Sequence, residues 1–252
     1  QRQMCIRDRV GLGAIHPGEA FVSLGTSGVL WATTDRYAPY PKAAVHAFCH
    51  ALPGLWHQMG VTLSAASCLG WWAQVAGQGE AALLAELPAI RKPSEAVFLP
   101  YLSGERTPHN DGAIRGAFAG LSMDTERAAL TQAVLEGVAF SFRDCLDALA
   151  ASGTVIREAD VIGGGSRSRA WIGIIAAVLG IPLHVLAEGE YGGAFGGARL
   201  ARLAVTGEDP AAVCTPPRRL ETVMPDAELT GAYAAPLRRY RALYPAIAGS
   251  FS

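Results

Sequence analysis

An apolar strand that runs into three consecutive glycines and then into a helix leaves few folds open. The stretch VIGGGSRSRAW, from Val161 to Trp171, reads that way. A generic strand-to-helix turn rarely needs three glycines in a row. Together they let the backbone come close to something, with a helix N-terminus following. The stretch is not a P-loop, because no Gly-Lys-Ser/Thr follows. It departs from the dinucleotide fingerprint too, since Ser168 stands where the third glycine belongs. A ligand against Gly163, Gly164 and Gly165 and an ordinary tight turn both stay open at this point.

The neighbouring segments set the fold class. Residues 20–24 and 29–33 read as a hairpin around Gly25-Thr26-Ser27-Gly28. Residues 45–57 read as a second strand pair around Pro53-Gly54. A helix is expected over 62–76, ended by Gly77-Gln78-Gly79, and a short one over 80–87. Residues 97–99 form a short strand that leads into an irregular run, PYLSGERTPHNDGAIRG, long enough to suggest a functional loop. Over 125–151, Leu130, Val134, Val138, Phe142, Cys145 and Leu149 recur at three- and four-residue steps, which predicts a helix. Asp124 is its expected cap, and Gly153 its expected end. Further strands are expected at 160–162 and 182–186, with helices up to 179 and over 192–205. The tail, 226–248, reads as one helix with Tyr233, Leu237, Tyr240 and Tyr244 on a shared face. Strands first, then strand and helix in alternation, is the order of an α/β layered domain.

Composition excludes several functions. The formal net charge is −1 and half the residues are apolar, so no strong field draws nucleic acid or an anionic membrane. No run approaches the length of a transmembrane helix. The five cysteines are scattered and odd in number, which fits a reduced cytoplasmic interior. His46, Cys49 and His50 lack a zinc spacing, so no metal site is assigned. No Gly-x-Ser-x-Gly elbow is present, which weighs against a serine hydrolase. The turn at 25–28 offers several N–H groups and two hydroxyls with no acid, as a terminal phosphate requires, though an ordinary hairpin turn uses the same residues. GEYGGAFGGARLA, residues 189–201, reads as close helix packing. The charges of SGERTPHND, Glu105 and Arg106 among them, read most simply as solvated.

In chain order, VSLGTSGVLW, AVHAFCHALPGLWH, LSAASCLGWWA, FLPYLSGERTPHND, AVLEGVAFSFRDCLDAL, VIGGGSRSRAW and GGAFGGARLA resemble the C-terminal half of the FGGY carbohydrate kinases. The resemblance covers residues 10–245. The histidine-rich and GERTPH stretches are most similar to the xylulokinase branch, whereas the glycine stretches indicate only the wider superfamily.

The resemblance implies an α/β, actin–hexokinase-like (ribonuclease H-like) ATPase domain, a mixed sheet with helices on both faces. Residues 10–252 would be its ATP-binding C-terminal domain, without the sugar-binding N-terminal domain. Residues 1–9, QRQMCIRDR, would be a non-native or divergent start. It implies ATP and Mg²⁺, a small sugar as partner, a cytoplasmic location and, for the full-length enzyme, a homodimer. No nucleic acid or membrane is implied. Gly25, Thr26 and Ser27 would form the second phosphate loop, with Thr26 as hydroxyl donor. Gly163, Gly164 and Gly165 would form the adenosine motif, with Ser168 and Arg169 opening the helix beside it. Glu105 and Arg106 would belong to a cleft loop. Residues 192–201 would pack at the interdomain hinge. The family's catalytic Asp lies in a Gly-Gly-Asp-Asn-Ala-Ala stretch just before the segment matching Val10–Gly13. Asp8 is out of that register, so no catalytic residue is assigned. A kinase for another sugar, or a non-catalytic nucleotide-binding module, stays open.

Overall fold

The computed structural model of the chain describes residues 10–87, 89, 92–187 and 192–250. The expected foreign or divergent start, residues 1–9, lies outside them. Strands β1 (Ala20–Leu24), β2 (Gly28–Thr34), β3 (His46–Cys49) and β4 (Trp56–Thr62) share a mixed sheet with β7 (Ala159–Ile162), β8 (Leu183–Leu186) and β9 (Arg219–Val223). A short pair, β5 (Val97–Leu99) and β6 (Ala117–Ala119), stands apart. The sheet order is β3-β4-β2-β1-β7-β8-β9. β1 runs antiparallel to β2 and parallel to β7, with Phe21 opposite Asp160 and Ser23 opposite Ile162.

That register positions the site. The chain leaves β1 at Gly25 and leaves β7 at Gly163. Since β1 and β7 are parallel neighbours, both glycine stretches emerge at the same end of the sheet, although the sequence separates them widely. Ligands of open α/β sheets bind at such carboxyl ends, where neighbouring connections part to opposite sides.

Alternation along the strands serves two faces. Val22, Leu24, Leu30 and Ala32 enter the main core with the long helix α3 (Arg127–Ala151). Phe21 and Trp31 enter a second cluster with Ile162 and Leu186, and their rings stack at 4.9 Å. The remaining helices are α1 (Ala66–Ala76), α2 (Glu80–Ala85), α4 (Arg169–Leu179), α5 (Gly192–Thr206), α6 (Pro210–Val213), α7 (Ala227–Ala232) and α8 (Ala234–Ile247). No described helix is long and apolar enough to cross a membrane.

α3 is buried all round over residues 131–142, so its polar groups need partners. Thr131 accepts from Trp72 Nε1 at 2.9 Å, and Glu136 accepts from Gln132 at 2.7 Å and from the Tyr233 hydroxyl at 3.1 Å.

Several expected boundaries move. The helix predicted from residue 62 starts at Ala66, because β4 continues through Thr62 to pair with Gly28. Asp124 does not cap α3: Glu126 holds the cap position without a side-chain bond, and the approach is a turn in which Thr125 Oγ1 accepts from the Ser122 amide. The tail is two helices that meet at Tyr233, whose ring is buried against the core. The edge strand β9 was not expected, since four of its five residues are exposed and carry no alternation.

Candidate functional site

The turn after β1 is gripped from behind. Gly25 O accepts from the Ala66 amide at 2.8 Å. Thr26 O accepts from the Ala65 amide at 2.9 Å, from the Ser67 amide at 3.3 Å and from Ser67 Oγ at 2.7 Å. The first N–H groups of a helix have no partner within it, and here the turn's carbonyls take them. α1 is thereby fixed and its N-terminus occupied. With the carbonyls turned inward, the amides of Gly25, Thr26 and Ser27 and the two hydroxyls bond to no described residue. Thr26 and Ser27 are exposed. This leaves a cluster of donors, without a partner among the described residues, at the carboxyl end of β1. Gly28 serves packing instead: a Cβ there would lie 2.6 Å from Phe142 and from Thr62.

The three glycines after β7 divide their tasks. Gly163 has φ +92°, and a Cβ on it would sit 2.7 Å from Leu24 O. A Cβ on Gly165 would sit 2.4 Å from Leu24 Cγ. Both let the 3-10 turn Gly164–Arg167 lie flat on the end of β1. Gly164 has nothing within 4 Å of its Cβ position, so its bare backbone faces open space. Ser168 caps α4, its Oγ accepting from the Trp171 amide at 3.3 Å. Arg169 points elsewhere, its guanidinium 2.5 Å from Glu221 on β9.

A cleft of about 650 Å³ brings these parts together. Gly25, Thr26, Gly164, Gly165 and Ser168 line one side, and Ser67, Leu69 and Gly70 of α1 with Glu80, Ala81 and Leu84 of α2 line the other. Trp171 closes the base, its Nε1 held by Leu135 O at 3.0 Å. Arg167 also lines the cleft, and the size and the mixture of apolar and polar walls suit a small-molecule ligand. Ser27, Gly163, Arg169, Glu105 and Arg106 are not among the lining residues. A second cavity, about 700 Å³, opens at the opposite ends of β1 and β7. There Arg219 pairs with Glu158 at 3.1 Å and with Asp160 at 3.2 Å.

Glu105 is not solvated, as its loop suggested, but 1% exposed. Its Oε1 accepts from the amides of Leu63 at 2.9 Å and Arg106 at 2.7 Å, and its Oε2 accepts from Thr62 Oγ1 at 2.7 Å. Burial pushes its pKa up to about 7, against the opposing pull of those three donors. Arg106 stays exposed and bonds Asn110 Oδ1 at 2.9 Å. His109, lowered to about 4 by burial, stacks on Tyr244 of α8. His46 stacks on Phe48, and no cluster of three His, Cys, Asp or Glu able to hold a metal occurs among the described residues. In α5, buried Arg199 donates to the carbonyls of Val10, Gly11 and Thr215, in keeping with a packing role for the glycine-rich helix.

Sequence reasoning missed the α1 and α2 side of the cleft. Ser67 lies within the expected helix over 62–76 with nothing to mark it, and only the fold shows its hydroxyl on Thr26 O. Glu80 sits on a short helix with no motif to mark it. Trp171 was quoted within its stretch without a role.

The chain matches the model of the FGGY family of carbohydrate kinases, C-terminal domain, over residues 20–205. It is 42% identical over 238 residues to the xylulose kinase of Escherichia coli (strain K12), covering 93% of this chain and 49% of that protein. It is 43% identical over 207 residues to the xylulose kinase of Klebsiella pneumoniae, covering 79% and 41%. Among solved structures, a xyloylose kinase from Brucella ovis superposes with a TM-score of 0.92 at 53% identity, over 96% of this chain and 50% of that one. A xylulose kinase from Rhodospirillum rubrum gives a TM-score of 0.83 at 31% identity, over 98% and 51%. The chain spans about half the length of the curated relatives it matches. The mixed sheet with helices on both faces is the actin-like ATPase fold of these sugar kinases. The chain belongs to the FGGY family of carbohydrate kinases, in which it corresponds to the C-terminal domain.

Proposed function

We propose that residues 10–252 are the ATP-binding domain of a kinase that transfers the γ-phosphate of ATP to D-xylulose, giving D-xylulose 5-phosphate. The observation that carries this is the cleft itself: Gly25 and Thr26, whose amides bond to no described residue, and the bare backbone of Gly164 line one space. The relatives named xylulose kinase supply the sugar.

In this arrangement the terminal phosphates would meet the amides of Gly25 and Thr26 and the Thr26 hydroxyl, with Ser27 as the next donor along the turn. The adenosine lies along Gly164 against Leu69, Leu84 and Trp171. Gly163 and Gly165 seat that turn, Ser168 opens α4, and Arg169 ties α4 to β9. The fixed donors are aimed where negative charge grows during transfer, and this chemistry depends chiefly on such positioning. No protein cage for a divalent ion is found among the described residues. Mg²⁺ would enter with the nucleotide and would neutralise charge on the transferred group. We assign no residue here to take the proton from the sugar hydroxyl. A cytoplasmic setting accords with Cys49, Cys68, Cys145 and Cys214 being unbridged.

Titration calorimetry with ATP and Mg²⁺ tests the proposal. The 252-residue chain should bind saturably, and Thr26→Ala should weaken binding by about tenfold, the worth of one hydrogen bond to a charged group. Alone it should not phosphorylate D-xylulose. Turnover by the purified chain would contradict that last expectation, and a folded chain that ignores ATP would sink the nucleotide assignment.

A further inference from the structure

Glu105 is a fully buried carboxylate that touches neither cleft nor solvent, and the proposed function gives it no task. Its surroundings form a continuous path. On one side the loop is closed on itself: the Glu105 amide donates to Asp111 O at 2.7 Å, and the Asp111 amide donates to Glu105 O at 2.8 Å. α8 then clamps the loop. The Tyr244 hydroxyl donates to Asp111 Oδ2 at 3.1 Å, and its ring stacks on His109 at 3.5 Å. On the other side the Glu105 carboxylate takes the Thr62 hydroxyl and the Leu63 amide. Only buried Ser64 separates Leu63 from Ala65, whose amide is the first to grip Thr26 O.

We propose that Glu105 is a positioning residue for the Gly25–Ser27 turn, holding the connection from β4 to α1 at the point where α1 grips the turn's carbonyls. It rests on the nucleotide assignment for its consequence, but not for its geometry. Glu105 acts through residues 62–67 and contacts no substrate. With the carboxylate in place, the amides of Ala65, Ala66 and Ser67 stay on Gly25 O and Thr26 O, so Gly25 and Thr26 keep their place in the cleft wall. Without it, the Leu63 and Arg106 amides and the Thr62 hydroxyl lose one shared acceptor, and the connection can shift.

The atom assignments make a sharp test. Both backbone amides bond Oε1, and only the Thr62 hydroxyl, which can donate or accept, bonds Oε2. Glu105→Gln can therefore keep every link, its carbonyl oxygen on the two amides and its NH₂ on Thr62 Oγ1. Glu105→Ala severs all three. Two readouts are taken on the full 252-residue chain: ATP affinity by calorimetry, and amide hydrogen exchange at Ala65, Ala66 and Ser67. Glu105→Ala should weaken ATP binding by about tenfold or more and speed exchange at those three amides by a similar factor. Glu105→Gln should keep ATP affinity within about twofold of the parent and should exchange no faster than the parent at those three amides. Thr62→Val, which loses one link, should show the same signs at smaller size, and it decides the matter if Glu105→Ala does not fold. Parental exchange and parental affinity in a folded Glu105→Ala, or in Thr62→Val in its place, would overturn the proposal. So would a Glu105→Gln as impaired as Glu105→Ala, because the carboxylate's charge and not the linkage would then matter. A parent chain that binds no ATP would overturn the nucleotide assignment instead, and exchange alone would then judge the linkage.

Discussion

Gly137→Ala is expected to destabilise the chain by about 3 kcal/mol, although alanine is the better helix former. Propensity alone favours the alanine by about 1 kcal/mol in a helix interior. Packing opposes it more strongly. Gly137 lies in the buried middle of α3, and a Cβ there would sit 2.3 Å from Phe98 O and 3.1 Å from Phe98 C. Those are backbone atoms of β5, not the end of a flexible side chain. Phe98 cannot yield easily either, since its ring packs on Phe118 at 4.6 Å and Trp71 at 5.7 Å. α3 and β5 must move apart along a close-packed contact, and densely packed interiors do not absorb such a shift cheaply. For a chain of this size, that corresponds to a fall in Tm of roughly 6–12 °C. Gly173 on α4 is the control, because nothing lies within 4 Å of its Cβ position. There the alanine substitution should be neutral or stabilising. An unchanged Tm in Gly137→Ala would mean that α3 does not approach β5 so closely.

The second large effect is on pH dependence. Burial raises Glu105 to about 7, Glu136 to about 7 and Asp144 to about 6. In the unfolded chain these carboxyls titrate in the ordinary range near 4. Between those limits the folded state binds more protons than the unfolded one, so the stability they contribute is present at low pH. It is lost as pH rises through about 7. His109 has the opposite sign: lowered to about 4, it weakens the fold as pH falls below its ordinary value. The two effects overlap in the whole chain, and a difference curve separates them. Glu105→Gln removes one ionisation while keeping the bonds. Relative to the parent it should be nearly neutral at pH 4.5 and more stable by on the order of 3 kcal/mol at pH 8. Urea unfolding at several pH values measures this. A difference that does not change with pH would show that Glu105 titrates alike in both states.

Much of this could be read from residues alone, for identifiable reasons. The hairpin at 20–34 and the helix at 127–151 carry strong periodicity, and both were expected within a few residues. The two glycine stretches stand out through the family resemblance, and the fold brings Gly25, Gly164 and Gly165 to the wall of one cleft. Their division of labour was not readable. That Gly163 and Gly165 pack on Leu24 while Gly164 stays bare depends on the register of β1 against β7, which no local pattern encodes. Glu105 was misread as solvated because charge suggests exposure, and only the fold brings Thr62 and Leu63 to its carboxylate. β9 escaped notice because an exposed edge strand has no buried face to impose alternation.

The division among the three glycines also selects the decisive variant. Substituting Gly163 or Gly165 strikes β1, so lost binding there would not distinguish a ligand from a damaged turn. Gly164→Val places its side chain in open space within the cleft. The measurement is calorimetric ATP titration of the parent and of Gly164→Val, with Tm recorded for both. The account predicts saturable binding by the parent and none by Gly164→Val, at an unchanged Tm. Parental ATP binding by a folded Gly164→Val would contradict it, because the nucleotide would then not lie along Gly164.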